Sequence, residues 1–146
     1  MGISVLLLTL NEAANLPACL AALAWADDVV VLDSFSQDET VAVAERLGAR
    51  VYQRAFDNFA GQRNYALDQI HFQHEWVLHL DADEIVTPAL RAEMAAAVAV
   101  AEGAEAEEAG AARAAEMAEA LVAGRYDAWR LPSKMMFMGR WLRYSG

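Results

Sequence analysis

The sequence has 146 residues, 57% of them hydrophobic, and a formal net charge of −10. This length predicts one domain with a sizeable core, and the acidic balance argues against a nucleic-acid-binding protein, whose affinity depends on Lys and Arg. The single cysteine, Cys19, excludes an intrachain disulfide and a cysteine metal cluster. Residues 1–3 lack the basic start of a secretory signal, and no apolar run approaches the roughly 20 residues that span a bilayer, so we expect a cytoplasmic protein.

Strand and helix signals alternate along the chain. Short apolar runs that end in polar residues predict buried strands at 3–8, 28–32, 50–53 and 76–80. Helices are predicted to begin near Asn15, Ser36, Asp57 and Pro88. The alternation predicts an α/β domain with a largely parallel sheet.

Local signals mark the ends of the predicted helices. Asn15 is a candidate N-cap, and Pro17 is tolerated in the first turn that follows it. Ser36 and Glu39 have the spacing of a capping box, and Gly48 is expected to end the helix that they begin.

The last part of the chain carries fewer signals of chemistry. Thr87 followed by Pro88 predicts a capped helix start. An Ala- and Glu-rich stretch runs from Pro88 to about Gly124, and within it we expect residues 95–123 to form a helical insert without catalytic groups. Gly103 and Gly110 predict either two helices or one helix with a mobile joint.

A further strand is predicted over 126–131, where Pro132 ends it. The aromatic and sulfur-rich residues 135–142 suit either the core or one wall of an acceptor site, and we favour the core.

The apolar run Trp76–Leu80 ends in three carboxylates, Asp81, Asp83 and Glu84. In an extended chain residues i and i+2 point to the same side, so Asp81 and Asp83 would share a face. Two close carboxylates repel each other unless a proton or a cation lies between them, and Mg²⁺ or Mn²⁺ prefers such oxygen ligands. The alternative is a solvated acidic loop before a helix.

Polar side chains follow three of the predicted strands. They are Thr9, Asn11 and Glu12 after the first, Asp33 after the second, and Asp81 and Asp83 after the fourth. Ligands of parallel α/β sheets bind beyond the carboxyl ends of the strands, so we expect these groups to line one site. The first strand is followed by neither of the common Gly-rich phosphate loops, which argues against a dinucleotide fold or a P-loop enzyme.

Two further polar side chains lie close to these groups in the sequence. Arg63 is the only cation of the predicted helix 57–70, and it is either a ligand-binding residue or a surface arginine with a neighbour four residues away. His79 alternates with apolar residues inside the fourth strand, so we expect it to pack or to form a hydrogen bond near the site, rather than to act as a base.

Four segments together resemble the family-2 inverting glycosyltransferases of the GT-A fold. They are 4–12, 30–40, 62–64 and 76–84, and the resemblance covers residues 3 to 94. The segment 130–143 is further similar to the bacterial branch near the lipopolysaccharide-core β-1,4-glucosyltransferases. The resemblance implies one GT-A-like domain over 1–146, with a complete donor half and a truncated acceptor half.

This resemblance implies a metal-dependent enzyme that moves a sugar from a nucleotide-diphosphate donor, most often UDP-linked, to an acceptor hydroxyl. Thr9, Asn11 and Glu12 would line the nucleoside pocket, and Asp33 would bind the base, with uracil expected. Arg63 would lie near the nucleotide or its phosphates, Asp81 would approach the ribose or the metal, and Asp83 would bind Mg²⁺ or Mn²⁺. The acceptor would be a glycan or a lipid-linked sugar in cell-surface polysaccharide or lipopolysaccharide synthesis. Peripheral contact with the inner face of the membrane stays open.

The chain departs from the family pattern in two ways. It is shorter than the usual domain, so the catalytic base is expected beyond Gly146, and the stretch 95–123 is longer than the usual connection. Two alternatives therefore stand beside the transferase. One is a nucleotide-sugar- and metal-binding fragment without turnover, and the other is a sugar-phosphate nucleotidyltransferase, which would require a Gly- and Arg-rich loop near its amino terminus.

Overall fold

The computed structural model of the protein describes residues 2–101 and the two short strands 135–137 and 140–142. Four parallel strands form the central sheet: β1 (Ile3–Thr9), β2 (Val29–Asp33), β3 (Arg50–Gln53) and β4 (Trp76–Asp81). Their order across the sheet is β3-β2-β1-β4. The predicted α/β class and all four predicted strands are confirmed.

Four helices follow these strands in turn: α1 (Leu16–Ala22), α2 (Thr40–Arg46), α3 (Phe59–Gln69) and α4 (Pro88–Ala101). Strands β5 (Met135–Phe137) and β6 (Arg140–Leu142) form a separate antiparallel pair. Among the residues that the structure describes, no helix is both long and apolar enough to cross a bilayer.

The helices divide between the two faces of the sheet. On one face α1, α2 and α4 pack over a cluster that includes Val5, Leu7 and Val31. On the other face Ala66 of α3 packs against Leu6 and its neighbours. Because β4 joins the opposite side of β1 from β2, a right-handed crossover places α3 on the opposite face.

The strand order therefore reverses between β1 and β4. From β1 the chain proceeds outward to β2 and β3, and α3 then returns it to the free edge of β1. In doubly wound sheets such a reversal opens a crevice at the carboxyl ends of the two neighbouring strands, where ligands bind. The segments that follow Thr9 and Asp81 therefore lie at the crevice that this fold creates.

The predicted capping box at Ser36 and Glu39 is wrong. Helix α2 starts at Thr40, and Glu39 occupies the N-cap position without a side-chain cap. The Ser36 hydroxyl instead donates to Asp33 at the end of β2 and accepts from the Asn11 amide in the loop after β1. Gly48, at φ 89°, follows the last turn of α2 as predicted.

Two other helix starts differ from prediction in detail. The Asn15 amide donates to Glu12 rather than capping α1, whereas Asn58, which was not singled out, accepts from the Gly61 amide and caps α3. Thr87 caps α4 through the Leu90 amide, as predicted. The predicted insert 95–123 lies inside the described residues only as far as Ala101, and the predicted strand 126–131 lies outside them.

Candidate active site

The polar strand ends predicted to meet do lie side by side. Thr9 is the register partner of Asp33, and Leu8 is the register partner of Asp81. The ends of β2, β1 and β4 are therefore adjacent at one edge of the sheet. A cleft lined by residues such as Ala26, Val29 and Ala49 lies at the amino ends of β2 and β3, away from these groups.

Asp33 is fully buried and accepts four hydrogen bonds. The Thr9 hydroxyl donates to Oδ1 at 2.9 Å, the Ser36 amide donates to Oδ2 at 2.9 Å, and the Ser36 hydroxyl donates to Oδ1. The fourth donor, Nε2 of the exposed Gln53, is 3.2 Å from Oδ2. Burial alone would raise the pKa of Asp33, but the hydrogen bonds from Ser36, Gln53 and Thr9 outweigh it, so the pKa is lower than usual and the carboxylate is ionised.

The loops after β1 and β2 are held together by three bonds of 2.8 Å. The Asn11 amide donates to the Ser36 hydroxyl, the Gln37 amide donates to Oδ1 of Asn11, and the Glu12 amide donates to the Thr40 hydroxyl. Asn11 has a φ of 56°. Asparagine tolerates this left-handed conformation, and here it aims the side chain at the neighbouring loop.

Phe35, in the loop after β2, has a φ of 60° and is half exposed. A bulky residue adopts positive φ only where its surroundings impose it, and such residues cluster at functional sites. Bonds on both sides of Phe35 impose it here, since Ser36 is tied to Asp33 and the Gln37 side chain donates to the Phe35 carbonyl at 2.9 Å.

Three residues that shape this loop were not among the predicted site residues: Ser36, Asp38 and Thr40. Asp38 accepts from the Ala13 amide at 3.2 Å and from the amide and hydroxyl of Thr40. The hydrogen bonds from Thr40 lower the pKa of Asp38 below its usual value. Alternating hydroxyl and carboxylate side chains over 33–40 are the sequence signal that could have identified them.

Gln62 connects a third loop to the site. Its side chain is buried, and Nε2 donates to the Ser34 hydroxyl at 3.0 Å while Oε1 accepts from Arg54 at 2.9 Å. Arg54 in turn forms a two-pronged ion pair with Asp57, with both N–O distances at 2.8 Å. The β3–α3 loop is thereby fixed against the end of β2.

The carboxylates after β4 lie on a turn rather than an extended segment. The Glu84 amide donates to the Asp81 carbonyl at 3.0 Å, and Oε2 of Glu84 accepts from the Asp81 amide at 3.1 Å. Ala82 is buried, whereas Asp81 and Asp83 are both exposed. Glu84 holds the backbone of this turn.

Arg63 reaches the turn from α3. Its guanidinium lies 3.5 Å from Oδ1 of Asp81 and 5.8 Å from the ring centre of Phe59, four residues earlier. Arg63 thus has a neighbour at helical spacing, and it also faces the strand-end carboxylate.

His79 lies on the same strand two residues before Asp81. Burial lowers its pKa, and the nearby charge of Arg63 lowers it further, so the ring is neutral near pH 7. Its buried Nδ1 has no hydrogen-bond partner among the residues that the structure describes. The predicted packing role agrees with this burial, whereas a hydrogen bond is not found there.

The arrangement fits a divalent ion that takes most of its ligands from a substrate. Within the described residues no three His, Cys, Asp or Glu side chains gather as a complete metal site. Mg²⁺ and Mn²⁺ are commonly held by one or two carboxylates together with phosphates and water. Asp81 and Asp83 are exposed and can supply two carboxylates, and the guanidinium beside Asp81 shows that this position accepts positive charge.

Curated relatives match almost two thirds of the chain. An uncharacterised glycosyltransferase of Rickettsia felis is 37% identical over 93 residues, which are 63% of this chain and 32% of the relative. The lipopolysaccharide core biosynthesis glycosyltransferase LpsC of Rhizobium meliloti is 31% identical over 96 residues, 62% of this chain and 35% of LpsC. The chain thus spans about a third of the length of these relatives.

Solved structures share the fold. The protein TarS of S. aureus, residues 1–349, superposes with a TM-score of 0.58 at 28% identity, over 70% of this chain and 33% of TarS. The same protein in complex with UDP gives a TM-score of 0.55 at 28% identity and the same coverage. The sequence profile of Glycosyl transferase family 2 matches residues 4–107, which include every strand of the parallel sheet and all the strand-end groups described above. The chain belongs to glycosyl transferase family 2 and has its GT-A fold.

Proposed function

We propose that the chain is the donor-binding part of a glycosyltransferase that moves a sugar from a nucleotide diphosphate, UDP-hexose first, to an acceptor hydroxyl with inversion. The observation that carries the proposal is the crevice between β1 and β4, where the polar ends of three strands meet at the reversal of strand order. Family membership supports the transfer reaction.

The nucleoside would bind over the ends of β1 and β2, against Thr9, Asn11 and Glu12. Asp33 would accept from the base by releasing its longest hydrogen bond, the one from the exposed Gln53 at 3.2 Å. An ionised carboxylate at this point requires an N–H donor on the base. Uracil carries one at the ring nitrogen N3, whereas the corresponding ring nitrogens of cytosine and adenine are acceptors and only their exocyclic amines donate. The UDP complex of TarS supports the same preference.

The diphosphate would bind at the reversal itself. Arg63 would pair with its oxygens, Asp83 would hold the divalent ion, and Asp81 would contact the ion or the ribose. A bound Mg²⁺ or Mn²⁺ would neutralise the charge that develops on the departing diphosphate. The hydrogen bonds between Glu84 and the Asp81 backbone would keep both aspartates in place during the reaction.

The acceptor would carry an apolar part, as a lipid-linked glycan does. Large apolar side chains stand half exposed in the loops beyond the carboxyl ends of all four strands: Leu10, Phe35, Phe56 and Ile85, with Phe59 in the first turn of α3. Such a grouping is typical of a surface that meets an amphiphilic partner. The likeness to LpsC favours lipopolysaccharide or another cell-surface polysaccharide, made at the cytoplasmic face of the membrane.

Replacing the proposed metal ligand tests this assignment. Asp83→Ala should abolish the Mn²⁺-dependent part of UDP binding, because the ion loses a carboxylate, and should leave stability nearly unchanged, because the side chain is exposed. Calorimetric titration of UDP with Mn²⁺ measures the first effect and urea unfolding the second. The matched control is Asp68→Ala, which removes an exposed carboxylate from α3. Wild-type affinity for UDP and Mn²⁺ in the Asp83 variant would refute the assignment.

Two assays distinguish the proposed reaction from its alternatives. Transfer or slow hydrolysis of a UDP-hexose indicates the glycosyltransferase, whereas pyrophosphate release from UTP and a sugar phosphate would indicate a nucleotidyltransferase. UDP binding without either reaction would describe a binding fragment. Family membership favours the first outcome for the whole protein.

A further inference from the structure

The ion pair between Arg63 and Asp81 joins two residues that the proposed function assigns to different ligands. The guanidinium Nη2 lies 3.5 Å from Oδ1, and the two side chains are 38% and 56% exposed. An ion pair between side chains this exposed changes the equilibrium constant between its closed and open forms by no more than about five-fold. The pair is therefore weak enough to be opened by a ligand.

The two partners of the pair differ in how far they can move. The Asp81 backbone is held on both sides by Glu84, which donates to its carbonyl and accepts from its amide. Arg63 projects from α3 on a long side chain, and in the same conformation its guanidinium carbon lies 5.8 Å from the centre of the Phe59 ring. When the pair opens, the long Arg63 side chain can carry its guanidinium away, whereas the short Asp81 side chain stays close to its held backbone.

The proposed donor complex requires the pair to open. The guanidinium is directed to the diphosphate, and the carboxylate to the divalent ion or the ribose. An ion that arrives alone meets the Arg63 charge at its ligand, and a diphosphate that arrives alone meets the charge of Asp81.

We propose that donor and metal bind by partner exchange, in which Arg63 neutralises Asp81 in the free protein and passes to the diphosphate as the divalent ion takes its place. This inference rests on the proposed function and deepens it, since it makes Arg63 the residue that couples the two ligands. The protein would then hold the ion weakly without nucleotide and firmly with it.

Titration of the free protein with Mn²⁺ alone tests the exchange. Arg63→Met should bind Mn²⁺ about two- to five-fold more tightly than the wild type, because the competing cation is gone. The matched control Arg46→Met removes the same charge from the last turn of α2 and should leave Mn²⁺ affinity unchanged. In an Asp81→Asn background, Arg63→Met should give no gain. Equal Mn²⁺ affinity of the Arg63 and Arg46 variants would overturn the proposal.

The Nε–H proton of Arg63, observed by NMR and assigned by its loss in Arg63→Met, gives a second readout. Addition of Mg²⁺ should shift this signal, and an unmoved signal would also overturn the exchange. If instead the proposed function is wrong, calorimetric titration will show no UDP binding in the presence of Mn²⁺. The two failures are thus distinguishable.

Discussion

At the scale of single residues, Asp33 is the group on which the site loops depend most. Its carboxylate accepts from Thr9, Gln53 and twice from Ser36. Asp33→Asn keeps the shape but presents an amide N–H to one or two of these donors. We expect a loss of about 1.5–3 kcal/mol in the free energy of unfolding, measured in urea. Asp68→Asn, at an exposed position of α3, should cost less than about 0.5 kcal/mol, and an equal cost at both positions would contradict the account.

The same carboxylate makes stability depend on pH. The pKa of Asp33 is lower in the folded protein than its ordinary value of 3.8, so the carboxylate contributes stability above that pH and loses it as the pH falls through the folded value. The wild type should therefore lose stability more steeply than Asp33→Asn below about pH 4. Unfolding midpoints in urea along a pH series measure this difference. Parallel plots of unfolding midpoint against pH for the two proteins would show that Asp33 does not contribute to the pH dependence of stability.

Residue types and spacing were sufficient to predict which side chains gather at the edge of the sheet, because a parallel strand delivers its last residue to a known place. They did not predict how those side chains pair. The Ser36 hydroxyl donates to Asp33 and accepts from the Asn11 amide. Asn11 lies in the loop after β1, 25 residues away in the sequence, so a rule for local helix capping cannot predict this contact.

At the scale of elements, the amino ends of three strands are held by a cluster around Asp28, which is buried. Its carboxylate accepts from Ser4 of β1, from Arg50 of β3 at 2.7 and 3.0 Å, and from the Gln73 amide just before β4. Burial would raise the pKa of Asp28, but these hydrogen bonds lower it, so the charge is retained. The cluster lies at the opposite edge from the candidate site.

Arg50→Met removes the charge partner of this buried carboxylate. We expect a loss of about 2–3 kcal/mol in the free energy of unfolding, less than for a fully buried pair because the Arg50 side chain is 35% exposed. UDP affinity should not change, since the donor groups lie at the other end of the strands. Urea unfolding and calorimetry measure the two quantities, with Arg46→Met as the control. A large fall in UDP affinity at full stability would contradict the separation of the two edges.

Element boundaries show the same limit of local rules. The strands agree with prediction to within one or two residues, because each is an apolar run between polar groups. Helix α3 begins at Phe59 rather than Asp57, since Asp57 is held by Arg54 and the cap falls to Asn58. The sequence of the helix alone does not predict the contact between Arg54 and Asp57 that shifts its start.

At the scale of the whole molecule, the alternation of strand and helix predicted the parallel sheet, but not the order of its strands. The return of the chain to the free edge of β1 is determined by contacts between residues far apart in the sequence. It depends on α3 burying Ala66 and Ile70 against Leu6 and Val30, on the face opposite to the other helices. The resulting strand order creates the crevice between β1 and β4, so the site depends on the assembled sheet rather than on any one motif.

The central claim is a metal-dependent site for a uridine diphosphate at the crevice between β1 and β4. Calorimetric titration of the wild type with UDP, with and without Mn²⁺, and with ADP, GDP and CDP as controls, tests it most directly. The account predicts tight binding of UDP that requires Mn²⁺, and weaker binding of CDP and ADP, whose bases carry an acceptor at the ring nitrogen where uracil carries an N–H. Equal binding of all four nucleotides, or UDP binding indifferent to Mn²⁺, would contradict it.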